Sequence, residues 1–277
     1  MVVYKEYEPE VLKHLQEVEL MILKDVIEVL DKHNLKYYTI AGSAIGAVRH
    51  GGFIPWDDDI DIAMFREDYD KAIPILEKEL SEKYNVFELN KDENYFFAIT
   101  KVSLKGTKLV EHHLSNFNLD LGIFIDIFPM DKIPKSDFLG KVHHAMFKFI
   151  YTIVINSHVK IFTDSFIKRT VHYGLYYLLK ILPVSLNKWK KLLHNVMTHY
   201  SKDQSGRYTE FDTICGFIAF TKDDFEPSVK FKFEDMEVVL PKNYDKLLKK
   251  VYGDYMELPP VEKRYNHAPD LIDFGKY

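Results

Sequence analysis

Two carboxylates two residues apart, Asp59 and Asp61 in PWDDDIDIAM, and a third, Asp126 in GIFIDIF, are the side chains here best suited to do chemistry. On a strand, residues two apart share a face, so Asp59 and Asp61 project together while Ile60 and Ile62 turn to a core. Such a pair suits a hard divalent cation. Magnesium takes one or two protein carboxylates and completes its shell with water and substrate phosphate, so Mg2+ (or Mn2+) is the expected cofactor and a phosphorylated substrate the expected ligand. Asp126 lies among aromatic and branched residues, where a carboxylate is costly to bury unless a metal or a donor meets it. A calcium loop beginning at Asp57 is excluded, because Ile62 and Asp68 stand where Gly and Glu are required. A bare Asp-x-Asp also occurs in metal-dependent glycosyltransferases, which stay open at this point.

Gly42-Ser43 narrows the choice. A glycine after a strand lets backbone approach a phosphate, and the N-terminus of the helix behind it offers free N–H groups. LKYYTIAG reads as the strand and SAIGAVRH as the helix, with Ser43 as its N-cap. The order strand, Gly-Ser, helix, Asp-x-Asp strand, later Asp strand matches the nucleotidyltransferase fold.

The elements that must position these residues follow from periodicity. Val11, Leu15, Val18, Ile22, Val26 and Val29/Leu30 give a helix over residues 9–33. REDYDKAIPILEKELSEKY reads as a helix, FFAITKVSLKGTKLVEHHL as a strand pair about Gly106, and LGIFIDIFPMD as an apolar strand. FKFEDMEVVLP reads as strand and NYDKLLKKVYG as helix. The expected fold class is α+β: a nucleotidyltransferase-like mixed sheet flanked by helices, with an additional helical region. Three parts are expected: a catalytic core over residues 1–137, a basic helical insert over 138–200, and a C-terminal part over 201–277 that completes the catalytic domain.

Composition bounds the rest. With 277 residues, 47% of them hydrophobic, the chain has material for a sizeable core. A single cysteine, Cys215, excludes an internal disulfide and a thiolate zinc cluster. The first residues carry dispersed charge, unlike a secretory signal, and lysines interrupt every apolar run before it reaches membrane-spanning length, so a cytoplasmic location is expected. Net charge is −5, yet from Phe138 to His199 nine Lys or Arg face a single acid, Asp164. That asymmetry fits peripheral contact with the anionic inner leaflet of a membrane; a soluble bundle with solvated lysines is the alternative.

AGSAIGAVRHGGFIPWDDDIDIAM, GIFIDIFPMD and YGDYMELPPVEKRYNH together resemble the LicD family of phosphotransferases, over roughly residues 10–135 and 205–270. The resemblance implies an enzyme that moves a phospho-alcohol, typically phosphocholine from CDP-choline, onto a sugar of a lipid-linked glycan or teichoic acid precursor, with no nucleic acid partner. It implies Gly42 and Ser43 at phosphate, Asp59 and Asp61 as the metal pair and Asp126 as the third carboxylate, with Asp57 replacing one of the pair if the register shifts by two. Arg49 falls in the family's Arg-His-Gly-Gly stretch, where its guanidinium suits phosphate, the alternative being a cation on helix C-terminal carbonyls. Arg264 and His267 fall in LPPVEKRYNH, where they present side chains to substrate or merely belong to a docked tail. The competing classes are a nucleotidyltransferase or metal-dependent glycosyltransferase using a nucleotide donor, and a non-catalytic membrane-surface adaptor, which has no need of three convergent carboxylates.

Overall fold

The computed structural model describes residues 7–110, 119–158, 170, 173–174, 176–178, 185–212, 216–264, 266 and 268–277. Helix α1 (Pro9–Lys32) begins with proline at its first turn, where no N–H partner is lost, and buries Leu15, Val18, Ile22, Val26 and Leu30 along one face. Strand β1 is only Tyr38–Thr39. Ala41 then takes a left-handed φ of 50°, and helix α2 (Ala41–Arg49) starts there. The helix thus begins two residues before the expected Ser43 cap, and Ser43 lies inside its first turn.

Strand β2 (Asp61–Phe65) leads directly into α3 (Arg66–Glu79), and the helix expected to reach Tyr84 instead stops for β3 (Tyr84–Phe87). Strands β4 (Thr100–Leu104) and β5 (Lys108–Val110) flank the Gly106 turn. They do not pair with each other as expected. Leu104 donates its N–H to Ile123 O, and β5 pairs with the C-terminal β11 (Leu271–Asp273), so the turn redirects the chain instead of closing a hairpin. Strand β6 (Phe124–Lys132) is followed by α4 (Asp137–His158) and α5 (Leu186–Met197). The remaining elements are β7 (Arg207–Glu210), β8 (Phe220–Thr221), the hairpin β9 (Val229–Phe233) and β10 (Met236–Leu240), and α6 (Tyr244–Tyr252), which ends at Gly253 with φ 68°.

The main sheet runs β1-β2-β6-β4-β3, with β7 on β6 and β8 on β7. Among the described residues only the central β2–β6 pair is parallel, so the sheet is mixed and the fold α+β, as expected. One face carries Ile60, Ile62 and Met64 and packs with α1 and α3 into the largest apolar cluster. The opposite face carries Ala63, Phe65 and Met130, covered by Tyr208, Phe220 and Phe225. A third cluster joins Phe147, Ile150 and Val154 of α4 to Leu193 and Val196 of α5 and to Phe96 and Phe211.

Arg66, first residue of α3, reaches Asp131 near the end of β6 with two donors, at 2.7 and 2.8 Å, and both side chains are buried. Removing one partner strands a charge away from water. Arg66→Ala should therefore cost about 3–5 kcal/mol in urea denaturation, well above an ordinary surface substitution. A loss below about 1 kcal/mol would show that the pair does not anchor α3 to the sheet.

Candidate active site

The acidic face is set by strand register. In the parallel β2–β6 pair, Asp61 lies directly opposite Asp126, so both carboxylates project from the same side of the sheet. Asp59 stands two residues before β2, in the loop that leads into it. Ile60 and Ile62 are fully buried on the other side, which is the expected alternation. Backbone bonds lock the cluster: Asp126 N–H donates to Ile60 O (2.9 Å) and Ile40 N–H to Asp61 O (3.1 Å).

Ser43 has a different local role from a cap. Its hydroxyl accepts the Asp61 N–H at 2.9 Å, and because Ser43 lies within the first turn, with Ile40 at the N-cap, it is not the cap of its own helix. Gly42 faces the carboxylate of Asp57 so closely that a Cβ would collide with Oδ2. The glycine thus does admit an anionic group to the start of α2, where helix N–H groups favour negative charge. In this structure that group is Asp57, which Gln16 of α1 helps to place by donating to the Asp57 carbonyl at 2.9 Å.

Asp126 meets its donor inside the protein. Lys101, directly opposite on β4, contacts both Asp126 oxygens at 2.8 and 2.9 Å, and its ammonium lies 3.6 Å from the centre of the Phe124 ring and 5.1 Å from that of Phe97. Lys101 is buried. Neither it nor Glu19 emerges from the sequence reading. Glu19 of α1 is buried without a partner for Oε2; burial, followed by the charges of Asp59, Asp58 and Asp57, pushes its carboxyl well above the usual range. The signal was present in both cases. Lys101 is a lone cation in an apolar strand, and Glu19 falls four residues after Leu15 on the core-facing side of α1.

Asp61 shows the cost of this crowding. Burial first, then Asp59, Asp126 and Asp57, hold its carboxyl well above the usual aspartate range, while Lys101 pulls it down. Among the described residues, no three His, Cys, Asp or Glu side chains form a ready-made metal cage. The set fits a cation held by one or two carboxylates that takes further ligands from a bound phosphate.

The C-terminal segment meets the site from the side. Arg264 lies 4.9 Å from the Trp56 ring centre, beside the acidic loop, and donates to Pro259 O at 2.9 Å. Arg49, at the end of α2, donates to the carbonyls of Tyr255 and Glu257. It therefore clasps the tail instead of capping its own helix. Burial, and then Arg264, lower the Arg49 pKa, so the two guanidiniums are near neighbours. His267 lies outside the described residues.

A second carboxylate pair was also missed. Glu210, ending β7, and Asp212 sit beside Tyr151 of α4, whose hydroxyl donates to Asp212 at 3.1 Å. Burial and the nearby Asp212 raise Glu210 to about 8. Burial raises Asp212 to about 6 against the opposing pull of Lys148, and Asp126 and Lys101 also act on it.

Residues 34–160 match the family model described as LicD/FKTN/FKRP, nucleotidyltransferase domain. The chain is 27% identical to the lipopolysaccharide cholinephosphotransferase LicD of Haemophilus influenzae over 279 aligned positions, spanning 92% of this chain and 95% of that protein. An uncharacterised Rickettsia prowazekii protein is 33% identical over 117 residues, 35% of this chain and 42% of its own. A 43-residue stretch is 44% identical to the human ribitol 5-phosphate transferase FKRP, covering 16% of this chain and 9% of that one.

The raised carboxyls make stability fall with pH. A group whose folded pKa exceeds its unfolded value stabilises the fold at low pH and loses that contribution as pH rises through the folded value. For Asp212 and Glu210 the loss runs upward from the ordinary carboxylate range through about 6 and about 8. The urea midpoint of protein kept in a chelator should drop between pH 5 and 8.5, to an extent that the conversion of about 1.4 kcal/mol per pKa unit makes measurable. Glu210→Gln should flatten the upper part of that fall. An unchanged pH profile in the variant would remove Glu210 as its source.

Proposed function

We propose that the chain is a LicD-family phosphotransferase, as the match over residues 34–160 and the 27% identity to a cholinephosphotransferase support, and that it transfers a phospho-alcohol, phosphocholine from CDP-choline, onto a sugar hydroxyl of a cell-surface glycan. The acceptor is a lipid-linked glycan or teichoic acid precursor, reached by peripheral contact with the cytoplasmic face of the membrane. The observation that carries the reading is the Asp61–Asp126 register with Asp59 ahead of it and Gly42-Ser43 bonded to its base. The relatives' names supply the transferred group: one is a cholinephosphotransferase and another a ribitol 5-phosphate transferase.

Asp59 and Asp61 would hold Mg2+ or Mn2+, with Asp126 beside them on Lys101, and the cation when bound would neutralise charge on the donor's phosphate oxygens. The protein's own residues do the rest. Gly42 admits an anionic oxygen to the start of α2, a place that Asp57 holds in this structure and that a donor phosphate would take in its stead, and Ser43 fixes Asp61 beside it. Arg264 and Arg49 set positive charge on the side of Trp56, where they would meet the donor's diphosphate. Lys101 orients Asp126, whose carboxylate accepts the proton of the attacking sugar hydroxyl. That hydroxyl attacks the phosphorus bearing the alcohol, and CMP leaves with the bridging oxygen.

The proposal is tested by incubating the protein with Mg2+, a glycan acceptor and CDP-choline, CDP-ethanolamine, CDP-glycerol or CDP-ribitol, with ATP and UDP-sugars alongside. Choline-phosphate transfer with release of CMP is expected. Pyrophosphate release or sugar transfer would replace this reading with a nucleotidyltransferase or a glycosyltransferase. Asp61→Asn should lower turnover by about a hundredfold or more. The same variant should leave the metal-free melting temperature level or higher, because a crowded carboxyl is relieved. Asp126→Asn should lose activity too, but with reduced stability, since Lys101 then lacks its counter-charge.

A further inference from the structure

Helix α4 has two apolar faces, and its interior contacts explain only one of them. Phe147, Ile150 and Val154 point inward, packed with α5 and Phe211. The outward face holds Phe138, Val142, Met146 and Phe149, with Phe138 73% and Phe149 65% exposed. These four fall at spacings of four, four and three, so they form one stripe, about 16 Å long at 1.5 Å per residue. Leu192 of α5 is also exposed. Singly, exposed apolar residues are ordinary; a stripe of four is a contact surface.

Charge says what it contacts. From Phe138 to Thr163 the sequence has no acid. Lys141 lies exposed on one flank of the stripe, and α5 exposes Lys188 and Lys191 beside Leu192, whereas the half-buried Lys148 faces the buried carboxyls of Glu210 and Asp212. Lys190, although part of the same run, is not available: it is buried and donates to the carbonyls of Asp92 and Glu93 at 2.5 and 3.2 Å. Aromatic and thioether side chains edged by lysines are the chemistry that inserts at the boundary of an anionic bilayer, with apolar groups among the acyl chains and ammonium groups at the phosphates. A protein groove that takes the apolar stripe has no matching need for so one-sided a charge. Among the described residues no helix is long and apolar enough to cross a membrane.

We infer that the outward face of α4, Phe138, Val142, Met146 and Phe149 with Lys141 at its edge, docks the protein on an anionic lipid surface. The inference rests on the peripheral contact in the proposed function but not on the donor or the reaction, so either can fail without the other.

Vesicle flotation decides it. The protein should rise with phosphatidylglycerol-containing vesicles in low salt, rise at least fivefold less in 0.5 M salt, and stay down with pure phosphatidylcholine. Phe138→Ser with Phe149→Ser should cut the floated fraction at least fivefold, as should Lys141→Glu with Lys188→Glu and Lys191→Glu. All five side chains are exposed, so melting temperature and turnover on a soluble acceptor should stay at the parent's values. Sedimentation velocity runs alongside. Absence from both vesicle types, binding that the Phe variants do not weaken, or a dimer that Phe138→Ser dissociates would each overturn the inference, the last by assigning the face to a second copy of the chain.

Discussion

Everything at the site hangs on the backbone of one residue, Asp61. Its N–H is taken by Ser43, its carbonyl by the Ile40 N–H, and the preceding carbonyl, of Ile60, by Asp126. These bonds close the strand-to-helix turn onto β2 and fix β6 in parallel register beside it. Shifting β6 by one residue would turn Asp126 toward the apolar cluster under α1, with Ile125 and Ile127 brought to the acidic side. The buried isoleucines on either side of each aspartate therefore enforce the positions of the carboxylates as strongly as the hydrogen bonds do.

Holding acids this close is electrostatically unfavourable, and the fold answers in two ways. Lys101 neutralises Asp126 from the neighbouring strand, wedged against Phe124 and facing Phe97. Among the described residues Glu19 has no such partner and Asp61 is only partly offset by Lys101, and their carboxyls are driven upward. This is the pattern of a site that gives up stability for function: a preorganised negative surface whose repulsion is relieved by a cation and its phosphate ligand. The tail completes the pattern, since Arg49 and Arg264 bring positive charge to the side where the acidic loop leaves Trp56.

What could be read from the sequence was what depends on short-range spacing. Helix α1, the strand-helix unit at Gly42, the alternation around Asp61 and the apolar strand bearing Asp126 all follow from periods of two or 3.6. What escaped depends on which distant segments meet. Lys101 matters because β4 pairs with β6, and Glu210 because β7 does, and neither pairing is encoded locally. The Gly106 turn looks like a hairpin, yet β5 joins the C-terminal strand because both neighbours of β4 in the sheet are already taken by β3 and β6. Arg49 and Lys190 show the same limit. Each reads as an available cation, and each spends donors on carbonyls remote in sequence.

The most direct measurement is anomalous diffraction from crystals grown with Mn2+ and CDP-choline. A manganese peak in direct contact with Asp59 and Asp61 oxygens and with a donor phosphate, close to Asp126 and to the Gly42 end of α2, is the predicted result. A nucleotide bound elsewhere, or bound at this face with manganese absent from the aspartates, would contradict the assignment of these residues as the centre of phosphoryl transfer.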